Sequence, residues 1–193
     1  MPASIDFESI LSKCSTKVAY REMCKKATHG REFNPDELEQ KFSGLRTDKG
    51  RFLCESDLDR IFEEGKTVYG YYWKPPTGVN WAHSEISLHE SQCAKSGWKE
   101  SIVHQLFSLL TRMEVVSVLL RCVYPDDFAV YSPPLMTILQ VPPCPPMQHY
   151  LKYCEELQEW GRHFLGSKSV STADRALWVF YQSAYAPSSP WWN

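Results

Sequence analysis

Residues 98–123 form a run that is apolar on nearly every side, and no other stretch constrains the fold as strongly. Arg112, Glu114 and Arg121 interrupt it. The apolar positions are Ile102, Val103, Leu106, Phe107, Leu109, Leu110, Met113, Val115, Val116, Val118, Leu119, Leu120 and Val123. They cover several faces of a helix at once, which predicts a helix enclosed by neighbouring helices. Its charges leave it short of the roughly 18 uncharged residues typical of a membrane span.

Length and composition favour one domain, residues 1–193, of mostly α class. The chain is 43% hydrophobic and 13% aromatic, which is sufficient for one substantial core. Its beginning lacks the basic cap and apolar block of a signal peptide, so we expect a cytoplasmic protein without a membrane segment. The 7 cysteines are widely spaced, which favours reduced, packed thiols, and we expect no cofactor.

Helix start signals recur in the first third of the chain. Ser4 can cap a first amphipathic helix, and Asn34 followed by Pro35 is typical of the start of a second. Ser56 opens a third, shorter helix. Residues 1–65 are therefore predicted to be a helical subregion.

The middle of the chain contains the one stretch with β-former composition. Residues 67–73 read Thr-Val-Tyr-Gly-Tyr-Tyr-Trp, and two prolines follow directly. We predict at most one short strand or extended arm there. Residues 74–97 form a long connection, of a length that is often functional.

Residues 98–186 are predicted to be the helical core, so the whole domain has about six helices. Prolines at 133–134, 142–143 and 145–146 punctuate this region, and 146–164 reads as a long amphipathic helix. The motif Ser171-Thr-Ala-Asp174 predicts the cap of the last helix.

A basic stripe marks the first predicted helix. Its cations recur every four residues, at Lys13, Lys17, Arg21 and Lys25. On a helix this spacing drifts only about 40° per step, so the four side chains can follow a nucleic-acid backbone or an acidic protein surface. The alternative is the solvated face of an amphipathic helix.

Residues 81–93 contain candidate metal ligands, chiefly His83, Glu85 and His89. A His-x-Glu pair begins the signature of zinc nucleobase deaminases, but Cys144 lacks the second cysteine that the signature requires. The loop therefore leaves open a metal-dependent nucleic-acid enzyme as an alternative, with a polar surface segment as the simpler interpretation.

The pair Asp126-Asp127 invites comparison with a magnesium nuclease, but no acid followed by a lysine occurs downstream. We predict instead that these aspartates form a turn, with Phe128 and Tyr131 folding back on the core. The chain has neither a nucleophile elbow nor a glycine-rich phosphate loop.

The C-terminal tail, residues 187–193, ends in two large aromatic side chains. Trp191 and Trp192 follow two spaced prolines, and Tyr185 lies just before this tail. Buried tryptophans are frequent anchors in protein interfaces, so these three residues are predicted to contact a partner. The alternative is that they dock on the chain's own core.

Two segments carry a resemblance to known proteins. Leu119 to Tyr131, followed by Asp174 to Trp178, resembles a helical segment of accessory proteins from bacterial restriction and anti-phage defence operons. It is distantly similar to the helical region of helix-hairpin-helix DNA glycosylases, whose catalytic lysine and aspartate have no counterpart here. The resemblance implies a context of DNA-directed defence.

These observations together predict a non-catalytic accessory subunit. Its partner is expected to be a larger protein, such as an ATPase or a nuclease, in a complex directed to nucleic acid. The alternatives are the metal-dependent enzyme and a direct DNA-binding module that uses the basic stripe.

Overall fold

The computed structural model describes residues 95–142 and 144–184, together with Gln40, Phe42, Ser56, Asp59 and Arg60. These residues are mostly helical, and no strand occurs among them. The prediction of a mostly α fold is confirmed.

The N-terminal third is described only at its five isolated positions, all of which are helical. Phe42 is buried, and the guanidinium carbon of Arg60 lies 5.6 Å from the centre of its ring. This distance is within the range of a cation–π interaction. The arm predicted at 67–73 and the tail 187–193 lie outside the described residues.

Five helices occupy the described C-terminal region. They are α1 (Trp98–Leu110), α2 (Met113–Val123), α3 (Pro133–Ile138), α4 (Pro146–Leu165) and α5 (Val170–Ala184). Helix α4 is central, because it contacts α1, α2 and α5, whereas α3 packs against α5. No helix in the described part of the chain combines the length and apolarity needed to cross a bilayer.

The apolar run 98–123 is not one helix, as the sequence predicts, but two. Thr111 adopts a left-handed conformation with φ of 58°, and its N–H donates to the Phe107 carbonyl at 2.8 Å. Arg112 is then extended, and α2 begins. A continuous helix over this run would be about 39 Å long, more than the width of a small domain. The break lets both halves pack in one core.

The predicted enclosure is confirmed for α2 and is only partial for α1. Every residue of α2 except Glu114 is buried, including Arg121. In α1 the buried residues are Ile102, Val103, Leu106 and Leu110, which lie on one face. Helix α2 is therefore the innermost part of the run.

The turn predicted after α2 is confirmed. Residues 125–127 form it, Phe128 is fully buried, and Tyr131 packs against the core from a half-buried position. Helix α3 then ends at Ile138, and Gln140, two residues later, has a φ of 56°.

Helix α4 has the bounds that the sequence predicts, within one residue. Pro146 supplies the first turn, where its missing N–H costs nothing. Gly166 ends the helix in the left-handed conformation, with φ of 62°. Further back, Gly161 allows α5 to approach closely: an added Cβ would lie 3.0 Å from the Cβ of Ala173 and 3.2 Å from the Ser167 carbonyl oxygen.

The predicted cap of the last helix is wrong. Helix α5 begins at Val170, so Ser171 lies inside its first turn instead of preceding it. Asp174 points into the core, where buried groups bind its carboxylate. The sequence motif therefore predicted a capping role for Asp174, which is a core residue instead.

The left-handed residue between α1 and α2 leads to a first prediction. Thr111→Gly should raise the free energy of unfolding by about 0.5–1 kcal/mol, because a β-branched residue at positive φ is strained and glycine is not. Chemical denaturation measures the change. Thr137→Gly is the control. This exposed threonine lies inside α3, so the substitution should lower the free energy of unfolding. Equal losses in both variants would contradict the explanation by strain.

The close approach of α4 and α5 leads to a second prediction. Gly161→Ala should lower stability by about 1–3 kcal/mol, because neither the Ala173 side chain nor the Ser167 backbone can move aside cheaply. Adding Ala173→Gly should recover part of the loss, as measured by the melting temperature of both variants. If Ala173→Gly lowers the melting temperature further instead of raising it, positions 161 and 173 do not compete for space.

Candidate functional site

A buried arginine lies at the centre of the described core. Arg121, in the last turn of α2, is 1% exposed. Its Nη2 donates to the Ser171 carbonyl at 3.4 Å, and its Nε lies 3.6 Å from Oδ2 of Asp174. A buried guanidinium is costly unless a counter-charge compensates it, and Asp174 supplies that charge.

Asp174 gathers groups from three parts of the chain. Its Oδ2 accepts from the Val130 N–H at 3.4 Å, and its Oδ1 accepts from the Tyr153 hydroxyl at 3.1 Å. With Arg121 on its other side, this carboxylate joins α2, α4, α5 and the segment that follows the turn.

Further buried polar groups hold the segment 124–132 in place. The Tyr150 hydroxyl donates to the Ala129 carbonyl at 2.7 Å. Ser117 donates to the Glu114 carbonyl at 2.7 Å and accepts from the Tyr131 N–H at 2.9 Å. The side chains of Ser117 and Tyr150 thus bind backbone groups of a segment that lies outside the helices.

Burial controls protonation in this network. It raises the pKa of Asp174, and this effect outweighs the opposing effects of the Arg121 guanidinium and of the Val130 and Tyr153 hydrogen bonds. Burial also raises the pKa of Cys154 to about 12 and that of Tyr150 well above its usual value. At neutral pH both groups stay protonated, so neither supplies an activated nucleophile or base.

Three aromatic rings pack together beside the network. The ring of Trp98 lies 5.3 Å from that of Tyr124 and 5.6 Å from that of Phe128, measured between centroids. Lys99 places its Nζ 5.9 Å from the Trp98 and Phe128 ring centres and 2.9 Å from Oδ1 of Asp127. Asp127 therefore forms an ion pair with the chain's own lysine.

A cleft of about 480 Å³ lies between the start of α1 and the side of α4. It is lined by Lys95, Ser96, Gly97, Trp98, Lys99 and Glu100 on one wall and by Leu151, Cys154, Glu155 and Gln158 on the other. Asp127 engages Lys99, and Gln158 donates to the Lys168 carbonyl at 3.1 Å. The cleft therefore presents charges of both signs beside a protonated thiol.

None of the sites predicted from the sequence can be placed. Outside the described residues lie the basic stripe (Lys13, Lys17, Arg21, Lys25), the alternative metal ligands (His83, Glu85, His89) and the aromatic contacts (Tyr185, Trp191, Trp192). Within the described part of the chain, no group of three or more His, Cys, Asp or Glu side chains is arranged to hold a metal ion.

Sequence reasoning missed the pairing of Arg121 with Asp174. The one available signal was a cation inside an apolar helical run, which predicts a buried counter-charge somewhere in the chain. Nothing in the spacing identifies the partner 53 positions away, because only the tertiary structure brings the two residues together.

Comparison with family models, with curated proteins and with solved structures finds no match to this chain.

The buried pair leads to a third prediction. Arg121→Met should cost about 3–5 kcal/mol, because it leaves a buried carboxylate without its counter-charge, and Asp174→Asn should also destabilise. The double variant should be at least about 1 kcal/mol more stable than the sum of the single effects implies. Urea denaturation of all four proteins measures this coupling.

A surface pair provides the control for that cycle. Arg112 and Glu114 lie 3.9 Å apart with exposed side chains, so their coupling should stay below about 1 kcal/mol. If the coupling of the buried pair is as small as that of the surface pair, Arg121 and Asp174 do not stabilise each other.

The raised pKa of Asp174 leads to a fourth prediction. A carboxyl with a higher pKa in the folded state binds its proton more tightly there than in the unfolded chain. The free energy of unfolding of the wild type, minus that of Asp174→Asn, should therefore increase as the pH falls from about 7 to about 4. Subtracting the free energy of unfolding of the variant cancels the contributions of the other carboxyl groups. A difference that decreases instead would mean that attraction to Arg121 outweighs burial.

Proposed function

We propose that this chain is a non-catalytic interaction subunit that binds a larger protein. In this role the helical core supplies a rigid support, and the surface supplies recognition. The chain then contributes shape and contacts to a complex, while its partner performs the chemistry.

This proposal rests on one observation, which is that the buried polar groups bind one another and the chain's own backbone. Arg121, Asp174, Tyr150 and Tyr153 bond to other groups of the same chain instead of converging on an open cavity. Active sites usually expose such groups to substrate at a concave surface. The described core thus resembles a stabilising network more than a reaction centre.

The partner is proposed to belong to a complex directed to nucleic acid. The resemblance of the segments 119–131 and 174–178 to accessory proteins of bacterial defence operons supports this context. Both segments contribute to the buried network, through Arg121 and Asp174 respectively. A shared core would therefore explain a resemblance in these segments without any shared catalytic residue.

The tail tryptophans are the contacts that we propose first. An aromatic pair such as Trp191 and Trp192 can fill a partner's pocket and supply much of the binding energy. The basic stripe from Lys13 to Lys25 is proposed to contact an acidic partner or a phosphate backbone, with binding that weakens as salt increases.

Affinity purification of the tagged full chain from its native host tests the proposal. We expect one larger protein to co-purify in a fixed ratio, as measured by quantitative mass spectrometry and light scattering. Removing residues 187–193 should reduce its recovery at least about tenfold, the loss typical of an interface anchor. Circular dichroism controls for the fold of the truncated chain.

Two outcomes would contradict the proposal. A strictly monomeric chain that retains no protein at low salt would exclude an interaction subunit. Full recovery of the partner by the truncated chain, together with a lower melting temperature, would show instead that the tail docks on the chain's own core.

A further inference from the structure

The junction of α1 and α2 is a break that the local sequence does not favour. Residues 108–114 read Ser-Leu-Leu-Thr-Arg-Met-Glu, without the glycine or proline that usually marks a helix end. Leucine, arginine, methionine and glutamate are among the better helix formers. Local preference therefore favours one continuous helix from Trp98 to Val123, and contacts with other parts of the chain impose the break.

The break is also unfavourable for the backbone. Thr111 has a φ of 58°, a left-handed conformation in which a β-branched residue is strained. Arg112 is extended, and the N–H groups of Val115 and Val116 both donate to its carbonyl, at 3.1 Å each. Any helix break leaves carbonyls of the first helix and N–H groups of the second without partners inside a helix. Joining α1 to α2 would remove the strain and both helix ends.

Contacts across the junction compensate for this cost. Helix α1 packs against α2 and α4 through one buried face. The Trp98 ring lies 5.3 Å from that of Tyr124, and the Nζ of Lys99 lies 2.9 Å from Oδ1 of Asp127. These contacts require an α1 helix in this position, but they do not require it to belong to the same chain.

We propose that two copies of this chain exchange α1, together with everything before it, about a hinge at Thr111 and Arg112. In each copy α1 and α2 join into one helix, and α1 packs against α2 and α4 of the other copy. Contacts made across the hinge within one chain are then made between the two chains. Short, strained hinges favour such domain swapping, which gives a symmetric dimer.

The dimer needs no uncovered surface, because the face that receives α1 is the one that α1 already covers. Its contacts are the same in both forms, so they contribute little to the difference in free energy between them. Association costs translational and rotational freedom, whereas opening the hinge relieves the strain at Thr111 in both copies. The residue at position 111 and the protein concentration should therefore control the fraction of dimer. This inference is independent of the proposed function, because no other protein takes part.

Substitutions at the hinge of the full chain test this inference. Thr111→Ala still disfavours positive φ and favours the continuous helix, whereas Thr111→Gly relieves the strain of the closed chain and disfavours a helix. Sedimentation after refolding at several concentrations measures the dissociation constant of the dimer. We expect it to be at least about a hundredfold lower for Thr111→Ala than for Thr111→Gly.

The same two substitutions at Thr137 are the matched control. This exposed threonine lies in α3, which is the same in both forms, so the dissociation constants of Thr137→Ala and Thr137→Gly should differ by less than about twofold. If Thr111→Ala folds poorly, cross-linking of the wild type provides the second measurement.

The ion pair of Lys99 and Asp127 shows whether α1 is exchanged, because its two residues lie on opposite sides of the hinge. A carbodiimide joins an amine to a carboxylate in contact with it through an amide bond. Isotope-labelled and unlabelled chains are unfolded, mixed, refolded together, cross-linked and digested. We expect mass spectrometry to find Lys99 of one label joined to Asp127 of the other. Lys99→Gln removes the amine and controls for other couplings.

Three results would overturn the proposal. If the wild type and Thr111→Ala both stay monomeric at every concentration, no exchange occurs. If a dimer forms but each Lys99–Asp127 product carries a single label, the dimer consists of closed chains side by side. If the two Thr111 variants have equal dissociation constants, the hinge does not open. The proposed function stands in all three cases, because it concerns a different protein.

Discussion

The buried ion pair of Arg121 and Asp174 is the interaction on which the described structure depends. Each charge alone would be costly in an apolar interior, so each requires the other and the hydrogen bonds around it. Because Tyr153 and the Val130 N–H also bind the carboxylate, satisfying one charge positions helices α2, α4 and α5 and the segment after the turn. The attraction within such a network exceeds the free energy of taking its charges out of water by little, but the network permits few alternative arrangements of the helices.

Helix α4 links this core to the surface. Tyr150 and Tyr153 point into the network, while Phe164, on the same face of the same helix, retains 40% of its surface exposed. One face of one helix therefore carries both buried core residues and a surface residue.

The sequence predicted local features well and long-range features poorly. The bounds of α4 could be predicted, because Pro146 starts a helix through its own backbone and the apolar spacing continues to Phe164. The break at Thr111 could not, since no glycine or proline marks it and only packing against the rest of the core favours it. Asp174 carries the usual signal of a helix cap, yet the structure uses it as the counter-charge of Arg121. Of the candidate site, the sequence indicated only that a cation lies within an apolar run.

The sequence by itself determined the mostly helical class, the apolar character of residues 98–123 and the extent of α4. These follow from periodicity, prolines and apolar content, which act over one or two helical turns. Only the tertiary structure decided which buried charges pair, where the apolar run divides and how far along α4 the burial extends. These outcomes depend on contacts between residues far apart in the chain, and the energy of a buried charge is settled by neighbours that local spacing does not specify.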